Sequence, residues 1–147
     1  MSGDLPRLIG INHVALEVGD IDEALAFYGK MFSFTLRGRG KGQAFIDLGD
    51  QFLALMQTDT PHQDRGRHFG LVVDDRARAR ELAKAAGAKM AQGPFVDFFD
   101  PWGNRVEIVA YADVQFSKAP NVLRGMQFDG DKSADAKNQL AAKNMAP

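Results

Sequence analysis

The stretch that decides the fold is INHVALEVGDIDEALAFY, which covers residues 11–28. Apolar and other residues alternate up to Val18 and several are β-branched, so residues 9–18 are predicted to form a strand. Gly19 and Asp20 end the strand. Asp20 and Glu23, three positions apart, form the pattern of a helix-capping box, and apolar residues then recur at helical spacing. The stretch therefore predicts a strand followed directly by a helix.

A second copy of this pattern, GRHFGLVVDDRARARELA, begins at Gly66. Without a gap, His68 aligns with His13 and Asp75 with Asp20, in each case 55 positions later. Each copy has an apolar run, an aspartate and then a helical pattern. Self-similarity at a fixed offset is typical of a chain built from repeated structural units.

Strand-like segments follow each predicted helix. In the first copy they are residues 34–37, 44–48 and 52–56, separated by the glycine-rich loop 38–42 and a turn at 49–50. The second copy has a strand at 69–73, a helix at 76–86, and strands at 89–91, 96–99 and 106–110. The predicted order is βαβββ twice, an α+β fold of two modules.

The predicted domain covers residues 8–111, with modules at about 8–57 and 67–111. Residues 112–128 contain apolar side chains that can cover the domain or an adjacent subunit. Residues 129–147 contain little that could be buried, so they are expected to be disordered or weakly helical.

Composition excludes several classes of function. The 147 residues include 18 basic and 19 acidic side chains, so no basic field favours nucleic acid or an anionic membrane. No apolar run is long enough to span a membrane, and the N-terminus lacks a signal-peptide core, so a cytoplasmic location is expected. Cysteine is absent, so a metal site must use carboxylates and the three histidines, His13, His62 and His68.

The paired pattern, with a histidine at the same strand position in each copy, resembles the vicinal-oxygen-chelate superfamily. This group includes glyoxalase I, extradiol dioxygenases, fosfomycin-resistance enzymes and bleomycin-resistance binding proteins. A second similar segment is FFDPWGNRVEIV, which covers residues 98–109. The resemblance implies that the modules form an open curved barrel around a metal, with His13, His68 and Glu107 as the ligands.

The chemistry of these side chains agrees with that implication. Two imidazoles and a carboxylate suit a divalent ion such as Fe, Zn, Mn or Ni, either as a catalytic zinc site or as a facial Fe(II) triad. Strand alternation places Glu107 on the face opposite Val106 and Ile108. Each histidine alone is also compatible with a partly buried residue that binds no metal; the shared repeat position favours the metal.

The chain departs from glyoxalase I, which has a further carboxylate ligand in the last strand of its first module. That strand is FLALM here. Aligning the turn glycines of the two modules places Leu53 opposite Glu107, and neighbouring registers offer Phe52 or Ala54. None of these can bind a metal, so a three-ligand site is expected.

Two further positions bear on the activity. The fosfomycin-resistance enzymes have a threonine two residues after the first histidine, where this chain has Ala15. Extradiol dioxygenases commonly use an additional histidine as acid or base. His62 is the one spare histidine, and its alternative interpretation is a solvated loop residue.

Aromatic residues on the predicted strands are candidates for an apolar substrate pocket. The candidates are Phe45, Phe52, Ala54, Phe99 and Trp102. Trp102 can lie either at the cavity edge or against the other module. The basic, glycine-rich loop 37–42 is either a mobile lid or a solvated connection.

Two functions remain open. The first is a metal-dependent enzyme that binds adjacent oxygens of a small substrate, with lyase, isomerase or dioxygenase chemistry unresolved. The second is a metal-free small-molecule-binding protein of the bleomycin-resistance kind. Because paired modules of this family are often dimeric, a homodimer is expected, in which His13 can come from one chain and the other ligands from its partner.

Overall fold

The computed structural model describes residues 5–146. Each module contains a strand, a helix and three further strands, which confirms the predicted α+β class. The first module consists of β1 (His13–Val18), α1 (Ile21–Gly29), β2 (Leu36–Gly40), β3 (Gln43–Asp47) and β4 (Phe52–Gln57). The second consists of β5 (Phe69–Val73), α2 (Arg76–Ala85), β6 (Lys89–Met90), β7 (Val96–Phe99) and β8 (Arg105–Ala110).

Each module forms its own four-stranded sheet. The strand orders are β1-β4-β3-β2 and β5-β8-β7-β6. The first and last strands of each module run parallel, and the remaining pairs are antiparallel. Among the described residues the two sheets do not close into one barrel, in agreement with the expected open arrangement. Strands β1 and β5 are therefore both edge strands.

Strand alternation gives each sheet one buried and one open face. Leu16 of β1 and Ile108 of β8 are buried in the core. Their neighbours on the same strands include His13 and Glu107, at positions of opposite parity that project to the other side. The candidate ligands therefore lie on the faces that do not form the core.

The two helices begin in the same way, because the repeat supplies the same capping residue. The Asp20 carboxylate accepts a hydrogen bond from the Glu23 backbone N–H at 2.8 Å. The Asp75 carboxylate accepts one from the Arg78 N–H at 2.9 Å. Each aspartate satisfies an N–H that would otherwise lack a partner at the helix start.

The modules are joined through the hairpin turn between β7 and β8. The Tyr28 hydroxyl, on α1, donates to Oδ2 of Asp100 at 2.7 Å. Asn104 donates through Nδ2 to the same oxygen and to the backbone carbonyl of Glu17, both at 2.8 Å. Asp100 and Asn104 are both buried. The segment that carries the family resemblance therefore also fastens the two modules together.

Some element boundaries differ from the sequence prediction. β1 begins at His13, four residues after the predicted start at Ile9, because its partner strand β4 begins at Phe52, directly opposite His13. β2 continues into the predicted loop 38–42, where Gly38 pairs with Phe45. α1 ends at Gly29 although the apolar spacing continues to Phe32.

The C-terminal segment is more ordered than expected. It contains a short 3₁₀ helix (Tyr111–Asp113), α3 (Pro120–Gly125) and α4 (Ala134–Ala141). Disorder or weak helix was expected over 129–147, but Ser133 caps α4, and Ala136 and Leu140 are buried at i and i+4. Residue 147 lies outside the described range. None of the described helices is long and apolar enough to cross a membrane.

Residues 112–128 pack on the first module of their own chain. A Cβ atom added to Gly49, in the β3–β4 turn, would lie 2.6 Å from Sδ of Met126. Lys118 forms an ion pair with Asp50 in the same turn. These contacts are made within the same chain, and the expected covering of an adjacent subunit stays a prediction.

Candidate metal centre

His68 and Glu107 lie side by side on the open face of the second sheet. Glu107 is in β8, opposite Gly70 of β5. His68 is two residues before Gly70, and residues two apart on extended chain project to the same face. Nε2 of His68 is 3.5 Å from Oε2 of Glu107, and the side chains are 40% and 22% exposed. Two of the three predicted ligands therefore meet within one chain.

The hydrogen bonding of His68 leaves its other ring nitrogen available to a metal. Nδ1 lies 2.8 Å from the carbonyl oxygen of Gly66. Because a carbonyl can only accept, Nδ1 carries the proton, and in the neutral ring Nε2 has a free lone pair. This lone pair faces the carboxylate of Glu107. Two acceptors in this position repel each other unless a cation or proton lies between them, so the pair fits a divalent ion.

His13 lies on the open face of the first sheet. Its ring stacks on Phe52, with centroids 4.6 Å apart and planes 7° apart. Nδ1 lies 2.9 Å from Oδ1 of Asn12. An amide oxygen accepts, so this contact also leaves Nε2 as the nitrogen with a free lone pair. His13 is thus oriented as a metal ligand commonly is, with its other nitrogen held by a neighbouring acceptor.

The three candidate ligands do not form one cluster within a single chain. Over residues 5–146, no group of three or more histidine, aspartate or glutamate side chains could hold a metal ion. His13 begins edge strand β1, and His68 directly precedes edge strand β5. Within one chain, the described residues therefore bring together two of the three candidate ligands and not the third.

The sheet registers identify the first-module counterpart of Glu107. Ala15 pairs with Ala54, and Gly70, which is 55 positions after Ala15, pairs with Glu107. The structural equivalent of Glu107 is therefore Ala54; the alignment on Leu53 is wrong by one residue. Because alanine cannot bind a metal, the expectation that this position supplies no ligand holds.

Three of the predicted pocket residues lie together on the first sheet. Phe45 pairs with Ala54 across β3 and β4, and its ring meets Phe52 edge-on, with centroids 5.6 Å apart. The guanidinium of Arg37 lies 4.7 Å from the Phe52 ring centroid. His13 thus stands beside an aromatic surface with a nearby positive charge.

The other two predicted pocket residues lie elsewhere. Phe99 is on the second sheet, opposite Arg105, whose guanidinium is 5.9 Å from its ring centroid. Trp102 packs against the first module. A Cβ added to Gly19 would lie 2.5 Å from Nε1 of Trp102, so the absence of a side chain at Gly19 permits this contact.

His62 and the basic loop pair with residues other than His68 and Glu107. Nδ1 of His62 lies 3.2 Å from Oε1 of Glu17, and both side chains are exposed. Arg39 binds the Asp22 carboxylate at 2.6 Å, which ties the loop to α1. Residues 37–40 of this segment belong to strand β2, so the predicted loop is reduced to the turn before β3.

One groove on the described surface lies apart from the candidate ligands. It has a volume of about 850 Å³ and includes residues of α1, the 63–65 loop and the turn after β7, among them Lys30, Arg65 and Phe99. None of His13, His68 and Glu107 lines it. The candidate metal centre is therefore not part of this groove.

Asp97, which lies opposite Glu107 in the second sheet, was not identified from the sequence as a candidate site residue. Asp97 of β7 pairs directly with Glu107 of β8 and is buried. An aspartate within the otherwise apolar strand Val96–Phe99 was the signal, since a buried carboxylate in a short strand needs a specific partner.

Comparisons with known proteins find one family and several relatives. The family model described as Glyoxalase/Bleomycin resistance protein/Dioxygenase superfamily matches residues 10–108. Glutathione transferase FosA of Serratia marcescens is 23% identical over 113 residues, which cover 69% of this chain and 80% of that protein. Metallothiol transferase FosB of Lysinibacillus sphaericus is 34% identical over 55 residues, which cover 37% of this chain and only 39% of that protein.

Solved structures share the architecture. Fosfomycin resistance protein FosX of Listeria monocytogenes has a TM-score of 0.60 at 19% identity, covering 71% of this chain and 94% of that one. A variant of FosX, complexed with Mn(II) and a dihydroxypropylphosphonic acid, has a TM-score of 0.60 at 18% identity and covers 69% of this chain and 90% of that one. At this identity the likeness establishes the fold.

Proposed function

Because the chain belongs to the Glyoxalase/Bleomycin resistance protein/Dioxygenase superfamily, we propose that it is a metal-dependent enzyme acting on a small molecule. The observation that carries this proposal is the pair formed by Nε2 of His68 and Oε2 of Glu107, 3.5 Å apart. In the neutral imidazole both atoms are acceptors, since the Gly66 carbonyl accepts the proton of Nδ1 and the lone pair of Nε2 faces the carboxylate. A divalent cation removes the repulsion that this arrangement otherwise creates.

The third ligand in this proposal is His13 of the partner subunit in a homodimer. Strands β1 and β5 are both edges, so their backbones are free to approach another chain. The segment before β1 also favours such a contact, because its large aliphatic side chains are mostly exposed. They are Leu5, Leu8, Ile9 and Ile11, with exposures of 71%, 102%, 88% and 69%. An exposed apolar segment next to a ligand strand is typical of an interface.

The chain's own residues hold and orient the metal and leave room for a substrate. The Gly66 carbonyl and Asn12 amide fix the ring orientations of His68 and His13. Phe45 and Phe52 provide an apolar surface beside His13 that excludes water from one side. A divalent ion, when bound, supplies Lewis acidity and open positions for two adjacent substrate oxygens.

Two alanine residues, Ala54 and Ala15, limit the range of reactions that can be proposed for this chain. Ala54 stands where a fourth ligand would be required, so a three-ligand site is proposed. Ala15 has no hydroxyl to assist epoxide opening, so the similarity to fosfomycin-resistance proteins is not extended to their substrate. The proposal remains at the level of chelation of adjacent oxygens, with lyase, isomerase or dioxygenase chemistry as the candidates.

A metal titration tests the proposal. Protein purified without chelators should bind Mn(II), Zn(II), Fe(II) or Ni(II) at about one ion per chain, because each chain contributes one complete ligand set to the dimer. His68→Ala should weaken binding by more than about 100-fold, since loss of a ligand exceeds the usual effect of losing a supporting residue. His62→Ala is the matched control and should bind as the wild type does. A wild-type protein that binds none of these ions contradicts the proposal and leaves the metal-free binding protein.

A further inference from the structure

Asp97 projects from the same face of the second sheet as His68 and Glu107. It lies in β7, directly opposite Glu107 in the antiparallel pair with β8. Residues opposite each other in such a pair project to the same face, with Cβ atoms about 5 Å apart. Asp97 is only 4% exposed, so its carboxylate is held within the structure and not in solvent.

The two oxygens of Asp97 have different surroundings. Oδ2 accepts a hydrogen bond from Nε of Arg105 at 2.8 Å. The same guanidinium donates through Nη1 to the carbonyl of Arg65 at 2.7 Å, which fixes its position. Oδ1 is buried and, among the described residues, receives no hydrogen bond. The contact with Arg105 gives Oδ2 a hydrogen-bond donor, but it does not account for the burial of Oδ1 without one.

A buried carboxylate oxygen without a donor is unfavourable, and such groups in folded proteins commonly have a functional reason. Two like charges placed opposite each other on a sheet are also unfavourable. Arg105 neutralises Asp97 on one side, and His68 lies against Glu107 on the other. A hydrogen-bond donor supplied from outside the chain would satisfy Oδ1 of Asp97, which indicates that a ligand is part of the arrangement.

We infer that Asp97 determines substrate specificity by accepting a hydrogen bond, through Oδ1, from a donor group of the molecule bound at the metal. The inference rests on the proposed function, since it places the ligand at the ion held by His68 and Glu107. The substrate class is then a small chelating molecule with a hydroxyl or N–H group next to its metal-binding oxygens. Anionic heads without a donor, such as a phosphonate, are disfavoured by the negative charge of Asp97.

A matched pair of probes tests this inference. Acetohydroxamate and N-methylacetohydroxamate present the same two chelating oxygens, and only the first has an N–H donor. Calorimetry with the Mn(II)-loaded protein should show that the wild type binds acetohydroxamate about tenfold more tightly, the size of a hydrogen bond to a charged group. Methylphosphonate should bind weakly.

The variant Asp97→Asn distinguishes an effect of the hydrogen bond from a steric effect of the methyl group in N-methylacetohydroxamate. Because Arg105 needs an acceptor, the variant amide should direct its oxygen to Arg105 and its NH2 to the ligand. The preference between the two hydroxamates should then fall at least about fivefold, and methylphosphonate should bind more tightly. Asp74→Asn, on an exposed residue, is the control and should keep the wild-type preference.

The outcomes distinguish this inference from the proposed function. Mn(II) affinity, followed by electron paramagnetic resonance, should be nearly the same in Asp97→Asn and in the wild type. If both bind Mn(II) and both show the same hydroxamate preference, the role of Asp97 is overturned while the metal centre stands. If the wild type binds no Mn(II), the metal centre fails and the inference fails with it. If Asp97→Asn does not fold, equal affinity of the wild type for both hydroxamates still overturns the inference.

Discussion

The hydrogen bond between Tyr28 and Asp100, which connects the two modules, depends on the protonation of the Tyr28 hydroxyl. The Tyr28 hydroxyl is buried and donates to the Asp100 carboxylate. Burial, together with the nearby negative charge and the hydrogen bond of Asp100, raises the pKa of Tyr28 well above 10.0. The neutral phenol is therefore the form that the folded protein requires.

This requirement predicts a loss of stability in alkali. Below about pH 10 both the folded and unfolded chains carry a neutral Tyr28, so its contribution is fully present. As the pH rises further, the unfolded chain ionises first, and the free energy of unfolding falls until the folded pKa is passed. Tyr28→Phe should lower stability by about 1 to 2 kcal/mol near neutral pH and should lack this alkaline component. Urea unfolding at several pH values measures both effects, and parallel alkaline decreases in the two proteins would contradict the assignment.

The candidate ligands could be identified individually from the sequence because the repeat placed two histidines at equivalent positions. Strand parity also predicted that Glu107 projects to the face opposite Val106 and Ile108, as observed. Asp97 was missed, because its significance depends on an unpaired oxygen that only the folded neighbours reveal. A pattern of residue types does not specify which hydrogen bonds are left unmade.

Strand existence was predictable from alternation, but register was not. Gly49 is five positions before Ala54, whereas Gly103 is four positions before Glu107, although Ala54 and Glu107 are equivalent in their sheets. The β3–β4 turn thus has one residue more than the β7–β8 turn on this side, so an alignment on the glycines shifts every side chain to the opposite face. The alignment of Leu53 with Glu107 was therefore wrong because the two turns differ in length, and not because the strands were misidentified.

Helix α4 lies in a tail of polar composition, for which disorder or a weak helix was expected, and Lys132 holds the segment that precedes it. Nζ of Lys132 donates to the carbonyls of Tyr111, Val114 and Phe116, and lies 3.5 Å from the centroid of the Tyr111 ring. The ammonium satisfies three carbonyl oxygens that no nearby regular structure satisfies. This arrangement connects α4 to the end of the second module.

Lys132→Met should therefore loosen the C-terminal segment without unfolding the modules. Loss of the charged hydrogen bonds should weaken the attachment of α4 by about 1 to 3 kcal/mol. Amide hydrogen exchange over Ala134–Ala141 should accelerate, while exchange in β4 and β8 stays as it is. Lys137→Met, which removes only an exposed pair with Asp131, is the control. Unchanged protection of α4 in Lys132→Met would show that the apolar contacts of Ala136 and Leu140 are sufficient.

At the level of the assembly, the proposed site needs a second copy of the chain, because one chain brings together only His68 and Glu107. The buried faces of both sheets share one core, which leaves His13 and the His68–Glu107 pair on open faces. Sequence periodicity predicts which face of a strand is apolar, but it does not say whether the open face meets solvent or another subunit. The proposed dimer predicts that one subunit can supply a ligand that its partner lacks.

Mixed dimers test this prediction. His13→Ala and His68→Ala chains should each bind metal poorly when alone. If the site is shared, a dimer containing one chain of each kind has one site with His13 from the His68→Ala chain and His68 and Glu107 from the His13→Ala chain. After unfolding and refolding together, random pairing should restore about a quarter of the wild-type metal sites, because half of the dimers are mixed and each has one intact site. Mixing His13→Ala with a Glu107→Gln chain should give the same recovery, whereas mixing His68→Ala with Glu107→Gln should give none, since no pairing then unites an intact His68 with an intact Glu107 on one chain. Recovery in that last mixture, or no recovery in the first two, would show that the three ligands do not come from two subunits in this way.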